Sequence, residues 1–375
     1  MKNYLFILGR DPELSLLELE CYFESRNIEY KILDYSKQVA LVSLDNIKNL
    51  IKELAGIIKI AEVFSSTENL SEIEYHFNNL NLNYNKKVFY SISGYSTTLS
   101  DYVREILKDK FKKERIKGIL KKPKRRTDEF LTPTELLDRD LINNGIDVVI
   151  FKNNIARTVA VFNPEEYKKR DSERPKKDFL KSISIRLAKI LINLSYAKNN
   201  DTLLDPFCGT GTVLQEALLK KINVIGVDLD KNSVNDSIKN MDWLRIEYNI
   251  RNTYKIYHGD SRFLNKIIKN RVDAIVSEPY MGPFLKKEPT TKEAMNIINE
   301  LKSIYTRFFE DAYNVISKKG KIAIIMPEIA GISIDPLRLT NKFEIYKPRI
   351  NIKMPIQYML KNSKIRRYIY VLEPK

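Results

Sequence analysis

The chain is poor in the residues that bind metals. Its 375 residues include two cysteines, Cys21 and Cys208, and two histidines, His76 and His258, scattered along the sequence. A structural zinc site needs about four such ligands in two close pairs, so a metal centre is excluded. Cys21 is expected as a buried helix residue, and His76 as a surface residue without a partner. Long apolar runs are missing too. No stretch of 18 apolar residues occurs, which excludes a membrane-spanning helix. The N-terminal run Tyr4–Leu8 is too short, and too soon followed by acid, for a signal peptide. The expectation is a cytoplasmic protein, with no internal repeat and no long low-complexity tract.

Basic charge is abundant and uneven. The formal net charge is +16, and Lys plus Arg against Asp plus Glu gives −3 for residues 1–100, +10 for 101–200 and +9 for 201–375. The densest stretch is "KDKFKKERIKGILKKPKRR" at 108–126, with eleven basic residues among nineteen, including Lys121, Lys122, Lys124, Arg125 and Arg126. A single run of this kind also reads as a solvated helix face. A second cluster, "YKKRDSERPKK" at 167–177, contains Lys168, Lys169 and Arg170. Two clusters flanking one segment form an electrostatic footprint for a polyanion, and nucleic acid is the favoured partner.

Periodicity divides the chain. Residues 1–64 read as a small ferredoxin-like α+β unit: strand "NYLFILG", helix "PELSLLELECYFESR", strands "EYKILDYS" and "QVALVSL", helix "NIKNLIKELAG" and a further strand near 59–64. Residues 65–162 read as a second small α+β module that carries most of the early positive charge. Residues 163–178 hold two prolines and almost no aliphatic side chains, and read as a linker. Residues 179–375 alternate strand and helix regularly. That pattern predicts a doubly wound α/β sheet with its ligand at the C-terminal ends of the strands.

The chemistry concentrates in four places. "LLDPFCGTGTVLQEA" at 203–217 puts Asp205 at a strand end, then Phe207, Cys208, Gly209, Thr210, Gly211 and Thr212 at the turn into a helix. Leu214 stands where the dinucleotide fingerprint has its third glycine, and no G-x-x-x-x-G-K-[ST] occurs, so a phosphate cradle is not implied. Asp205 would repel a pyrophosphate and attract an ammonium or sulfonium. Asp228 ends the next strand, where a carboxylate can accept from ribose hydroxyls. Asp260 and Ser261 end the third, where Asp260 can meet an exocyclic amine. Each acid alone also reads as a cap or turn residue. Together, in order, they fit a cationic adenosine ligand, S-adenosylmethionine. Cys208 reads as a small filler.

The fourth place is "DAIVSEPYMGPF" at 273–284, an apolar run that ends in Ser277, Glu278, Pro279 and Tyr280. With these residues in view, the chain resembles, almost end to end, the tRNA guanine-N2 methyltransferases that join a THUMP module to a Rossmann-like methyltransferase and modify guanosine-10. The resemblance rests on "FILGRDPELSLLELE", "ARTVAVFNPEEYKKRDSERPKKD" and "LLDPFCGTGTVLQEAL". It implies a THUMP RNA-binding module over 65–162, tRNA as partner, and Ser277–Tyr280 in the slot of the family's Asp-Pro-Pro-Tyr motif. The acid of the first slot is absent here.

Methyl transfer to an exocyclic amine needs acceptors for its N–H protons and aim at the sulfonium methyl. The resemblance implies Ser277 and the Glu278 carbonyl as acceptors and Tyr280 as a stacking ring. Glu278 either supplies the missing carboxylate, contacts the cofactor or is structural. Other readings are an amino methyltransferase on ribosomal guanine or on DNA adenine or cytosine, and a non-catalytic RNA-binding protein with a degenerate site. A partner subunit stays open.

Overall fold

A computed structural model describes residues 1–80, 86–125, 127–177, 183–360 and 363–375. Two compact units emerge: residues 1–16 with 28–168, and residues 17–27 with 169–375. Among the described residues no helix is long and apolar enough to cross a membrane.

The first unit is built on an eight-stranded sheet. Its strands are β1 (Lys2–Leu8), β2 (Tyr30–Tyr35), β3 (Val39–Leu44), β4 (Ile57–Ser66), β5 (Lys87–Tyr95), β6 (Lys117–Leu120), β7 (Gly145–Phe151) and β8 (Asn154–Val161), in the order β2-β3-β1-β4-β8-β7-β5-β6. The boundary expected at residue 64 falls inside β4, which pairs with β1 on one side and β8 on the other. The two expected N-terminal modules therefore share one continuous sheet.

Every residue of β7 is buried, because its alternating side chains serve two cores. Ile146, Val148 and Ile150 pack with Ile73 and Phe77 of the helix Leu70–Asn78 and Val103, Leu107 and Phe111 of the helix Ser100–Lys113, while Val149 and Phe151 pack with Leu5, Ile7 and Leu41. Asp147 between them is fully buried. It accepts from Lys59 Nζ (2.6 Å), Ser91 Oγ (2.6 Å) and Thr158 Oγ1 (2.5 Å), so its charge is compensated from β4, β5 and β8.

Three local expectations change. Helix "NIKNLIKELAG" shrinks to Leu50–Glu53, while a short helix forms at Pro133–Asp138 behind a Thr132–Glu135 capping box. Residues 164–173, expected as linker, form a helix. His76 is half-buried, its Nδ1 2.9 Å from Ser65 Oγ, rather than a partnerless surface residue. Cys21 is buried in the helix Pro12–Ser25.

The second unit holds β9 (Thr202–Asp205), β10 (Asn223–Asp228), β11 (Tyr254–His258), β12 (Val272–Ser277), β13 (Ile316–Ile329), β14 (Ile332–Ser333), β15 (Phe343–Ile345), β16 (Ile356–Tyr358) and β17 (Ile365–Pro374). The main path runs β11-β10-β9-β12-β13-β17-β15. Strands β9 to β13 are mutually parallel where they pair, and β17 is antiparallel. The order reverses at β9, which lies between β10 and β12. Such a reversal opens a crevice at the strands' C-terminal edge.

The longest helix, Thr291–Val315, starts at a Thr290–Glu293 capping box and buries Ala294, Ile298, Leu301, Tyr305, Phe308, Ala312 and Val315. That three-and-four spacing is one helix face, and it packs on Ile275, Ile322 and Ile324 of the sheet.

Candidate active site

The parallel strands bring the predicted residues to one edge. Asp205 ends β9, Asp228 ends β10, Asp260 follows β11 and Ser277 ends β12. In sequence they span 73 positions. The pairing of β9 with both β10 and β12 is what collects them.

Asp205 lies at the centre, 2% exposed. Its Oδ1 accepts from Ser277 Oγ (2.7 Å) and from the Phe207 amide (3.1 Å). Burial pushes the carboxyl from 3.8 up to about 7, against those two hydrogen bonds, and the charges of Asp228 and Glu278 add to the rise. Among the described residues Asp205 forms no ion pair. Ser277 is itself fully buried. Because its hydroxyl donates to Asp205, its oxygen lone pairs remain as acceptors.

The loop that follows is shaped by its glycines. Gly209 (φ +51°) has nothing within 4 Å of where a Cβ would stand, so open space lies over its backbone. Gly211 (φ +86°) caps the helix Thr212–Leu219, and a Cβ there would meet Ser237 Oγ at 2.5 Å. Asp228 Oδ2 accepts from the Gly209 amide (2.8 Å) and Oδ1 from the Asp230 amide (2.9 Å), which ties the second strand end to the first loop. Phe207 packs edge-on against Phe308, and the Cys208 amide donates to Val227 O (3.0 Å). Burial pushes the Cys208 thiol well above its ordinary range, in keeping with a packed filler.

Other predicted residues turn inward to hold the loop. Thr212 Oγ1 accepts from Arg174 (2.9 Å), and Thr210 O accepts from Asn240 Nδ2 (2.9 Å), whose amide also pairs with the Lys176 backbone. Ser261 Oγ donates to Pro206 O. Asp260, expected to meet an exocyclic amine, caps the turn at 261–263. Both its oxygens are taken by Arg262, through the amide (2.9 Å) and the guanidinium (2.6–3.0 Å), which holds the carboxyl below its ordinary value.

Beyond Ser277 the chain is pinned at each step. Glu278 Oε1 accepts from Arg367 Nε of β17 (2.8 Å). Pro279 fixes its own φ. The Tyr280 carbonyl accepts from the hydroxyl of Tyr305, a fully buried residue, while the Tyr280 ring is half exposed. Gly282 takes φ +96° and Phe284 is exposed. Arg367, Tyr305, Asn240 and Arg174 were not singled out in the sequence. Arg174 alone carried a signal there, as a member of the second basic cluster.

The basic residues divide. Lys122, Lys124 and Arg125 are exposed, and Lys121 Nζ sits 3.9 Å from the Phe89 ring centre. Lys168 and Lys169 are exposed, paired with Glu165 (2.5 Å) and Glu247 (2.8 Å). Arg126 lies outside the described residues. Arg170 corrects the expectation. It is buried and grips Glu216 through Nε (2.9 Å) and Nη2 (3.0 Å), because a carboxylate inside the helix Thr212–Leu219 requires a partner. Its guanidinium is a structural tie and is withdrawn from the nucleic-acid surface.

Comparison with known proteins gives these residues a context. Residues 175–332 match a family model described as an RMKL-like methyltransferase domain, and residues 33–239 match one described as DNA methylase. A tRNA (guanine(10)-N2)-dimethyltransferase of Methanothermobacter thermautotrophicus is 25% identical over 342 residues, 87% of this chain and 89% of the relative. A probable tRNA (guanine(10)-N2)-dimethyltransferase of Methanothermococcus thermolithotrophicus is 33% identical over 138 residues, 36% of this chain and 82% of the relative. Among solved structures, TrmN from Thermus thermophilus superposes with a TM-score of 0.53 at 15% identity, covering 100% of both chains, and so shares the fold.

Proposed function

The chain belongs to the nucleic-acid methylases, in the family of tRNA (guanine(10)-N2)-dimethyltransferases, and on that premise we propose that it methylates the exocyclic N2 of guanosine-10 in tRNA with S-adenosylmethionine. The observation that carries the site assignment is the Asp205–Ser277 hydrogen bond. It joins the strand end that suits a cationic cofactor to the strand end that bears the altered catalytic motif.

The chain's own residues fit the cofactor. Asp205 offers a buried charge to the ligand's ammonium, Asp228 has lone pairs left for ribose hydroxyls, and open space above Gly209 admits the ligand against the backbone. The bound cofactor supplies the electrophilic methyl group. Ser277 Oγ and the Glu278 carbonyl accept the amine's two N–H groups, which localises its lone pair. Tyr280 stacks on the flipped base, worth about 1–3 kcal/mol, and offsets part of the unstacking cost.

The first unit supplies the RNA grip. Residues 65–162 act as the THUMP module, with Lys121, Lys122, Lys124, Arg125 and Arg126 on phosphates, and Lys168 and Lys169 are further phosphate contacts. RNA read through shape and backbone needs no base-specific motif there. The protein works in the cytoplasm.

The test is transfer itself. Labelled cofactor and unmodified tRNA are incubated with the protein, and the RNA is digested to nucleosides. N2-methylguanosine or N2,N2-dimethylguanosine from position 10 supports the reading. A parallel incubation with DNA that yields N6-methyldeoxyadenosine or N4-methyldeoxycytidine, with no methylated nucleoside from tRNA, redirects it to the second reading, an amino methyltransferase on DNA, which the match over residues 33–239 favours.

A further inference from the structure

The second slot of the motif holds Glu278, whose ψ is restricted by the ring of the Pro279 that follows it but whose φ no ring locks. Yet the Glu278 carbonyl is one of the two acceptors in the reading above, so that peptide has to be held in one orientation. Its neighbours are fixed from outside: Ser277 by Asp205 of β9, and the Tyr280 carbonyl by Tyr305 of the long helix. Glu278 is fixed from β17. The Arg367 guanidinium meets Oε1 at 2.8 Å, with both side chains largely buried at 16% and 18% exposure.

Arg367 is itself immobilised, because its Nη1 donates to Ser363 Oγ (3.0 Å) and Ile365 O (3.3 Å). The strand bearing Arg367 pairs with β13, and β13 pairs with β12, so the guanidinium reaches across one whole strand to arrive at the motif. A partly desolvated pair of this kind is more rigid and less screened than one on an open surface.

We infer that Arg367 is a positioning residue for the transfer reaction: it clamps Glu278 and so aims the Glu278 carbonyl at the amine. The Glu278 carboxylate is the handle of this clamp and not a reacting base. The inference rests on the site assignment above, and it makes a distinctive prediction. A ring that locks φ at position 278 replaces the clamp, even though it removes the carboxylate altogether.

The experiment compares wild type, Arg367→Ala, and the double variant Arg367→Ala with Glu278→Pro. Two readouts are taken: amide hydrogen exchange of peptides spanning 278–284, and kcat and KM with tRNA and cofactor. Arg367→Ala is expected to speed exchange in those peptides and to lower kcat about 10- to 100-fold, the usual cost of a small misplacement at a reacting centre, with KM for the cofactor unchanged. The proline double variant is expected to recover both exchange protection and most of kcat. Unchanged exchange in Arg367→Ala overturns the inference whether or not the wild type acts on tRNA. A double variant with restored protection but no recovered kcat also overturns it, since the carboxylate would then be doing chemistry. An inactive wild type whose exchange pattern follows the expected order sinks the functional reading and leaves the clamp standing.

Discussion

Replacing Asp205 with asparagine should stabilise the cofactor-free protein while weakening its hold on the cofactor. The variant keeps an oxygen to accept from Ser277 Oγ and the Phe207 amide but removes a charge that is 2% exposed. The carboxyl rises from 3.8 in the unfolded chain to about 7 in the folded one. The folded state therefore binds the proton more tightly. Wild-type stability falls as pH rises from the unfolded value to the folded value, and levels off above it. About three units at 1.36 kcal/mol each bound the full cost near 4 kcal/mol.

The variant lacks this cost, so its advantage should open by about 2–3 kcal/mol between pH 5 and pH 8. Urea unfolding followed by the fluorescence of Trp243, the single tryptophan and a residue of the second unit, reads it directly. Calorimetric titration of S-adenosylmethionine should show the opposite trend. Wild-type affinity climbs up to about tenfold per pH unit below 7, as Asp205 must ionise to meet a cation, and the variant binds weakly with a flat profile. Parallel pH curves for the two proteins would refute the reasoning, because the buried charge would then be compensated by something other than the ligand.

Tyr280→Ala should leave folding and cofactor binding intact, since the ring is half exposed, and should lower kcat/KM for tRNA by about 5- to 100-fold, the worth of one stacked base; steady-state kinetics at varied tRNA check it. Arg170→Ala should cost about 3–5 kcal/mol of stability because it leaves Glu216 buried and unpaired, seen as a lower urea midpoint for the second unit, with no change in the salt dependence of tRNA binding. Neutralising Lys122, Lys124 and Arg125 together should reduce the slope of log affinity against log salt by about one per residue that meets a phosphate, measured by filter binding across a salt series.

The sequence by itself determined the layout. Strand-helix alternation after residue 179, the acids closing "LLD" and "VIGVD", and the glycine turn between them follow from local physics: period-two and period-3.6 burial and the φ > 0 that Gly209 and Gly211 supply. These depend on neighbours a few positions apart, so a one-dimensional reading reaches them. It read less well wherever a distant partner decided the outcome. The segment at 163–178 looked like linker by composition, yet Arg170, Arg174 and Lys176 are tied to Glu216, Thr212 and Asn240. Arg170 looked like a phosphate ligand until its carboxylate partner, 46 positions away, came into view. Whether a charge faces solvent, a ligand or an opposite charge is a property of packing, because the cost of desolvation is set by everything around the group. Only the tertiary structure, by laying β9 between β10 and β12 and β17 beyond β13, put Asp205 against Ser277 and Arg367 against Glu278.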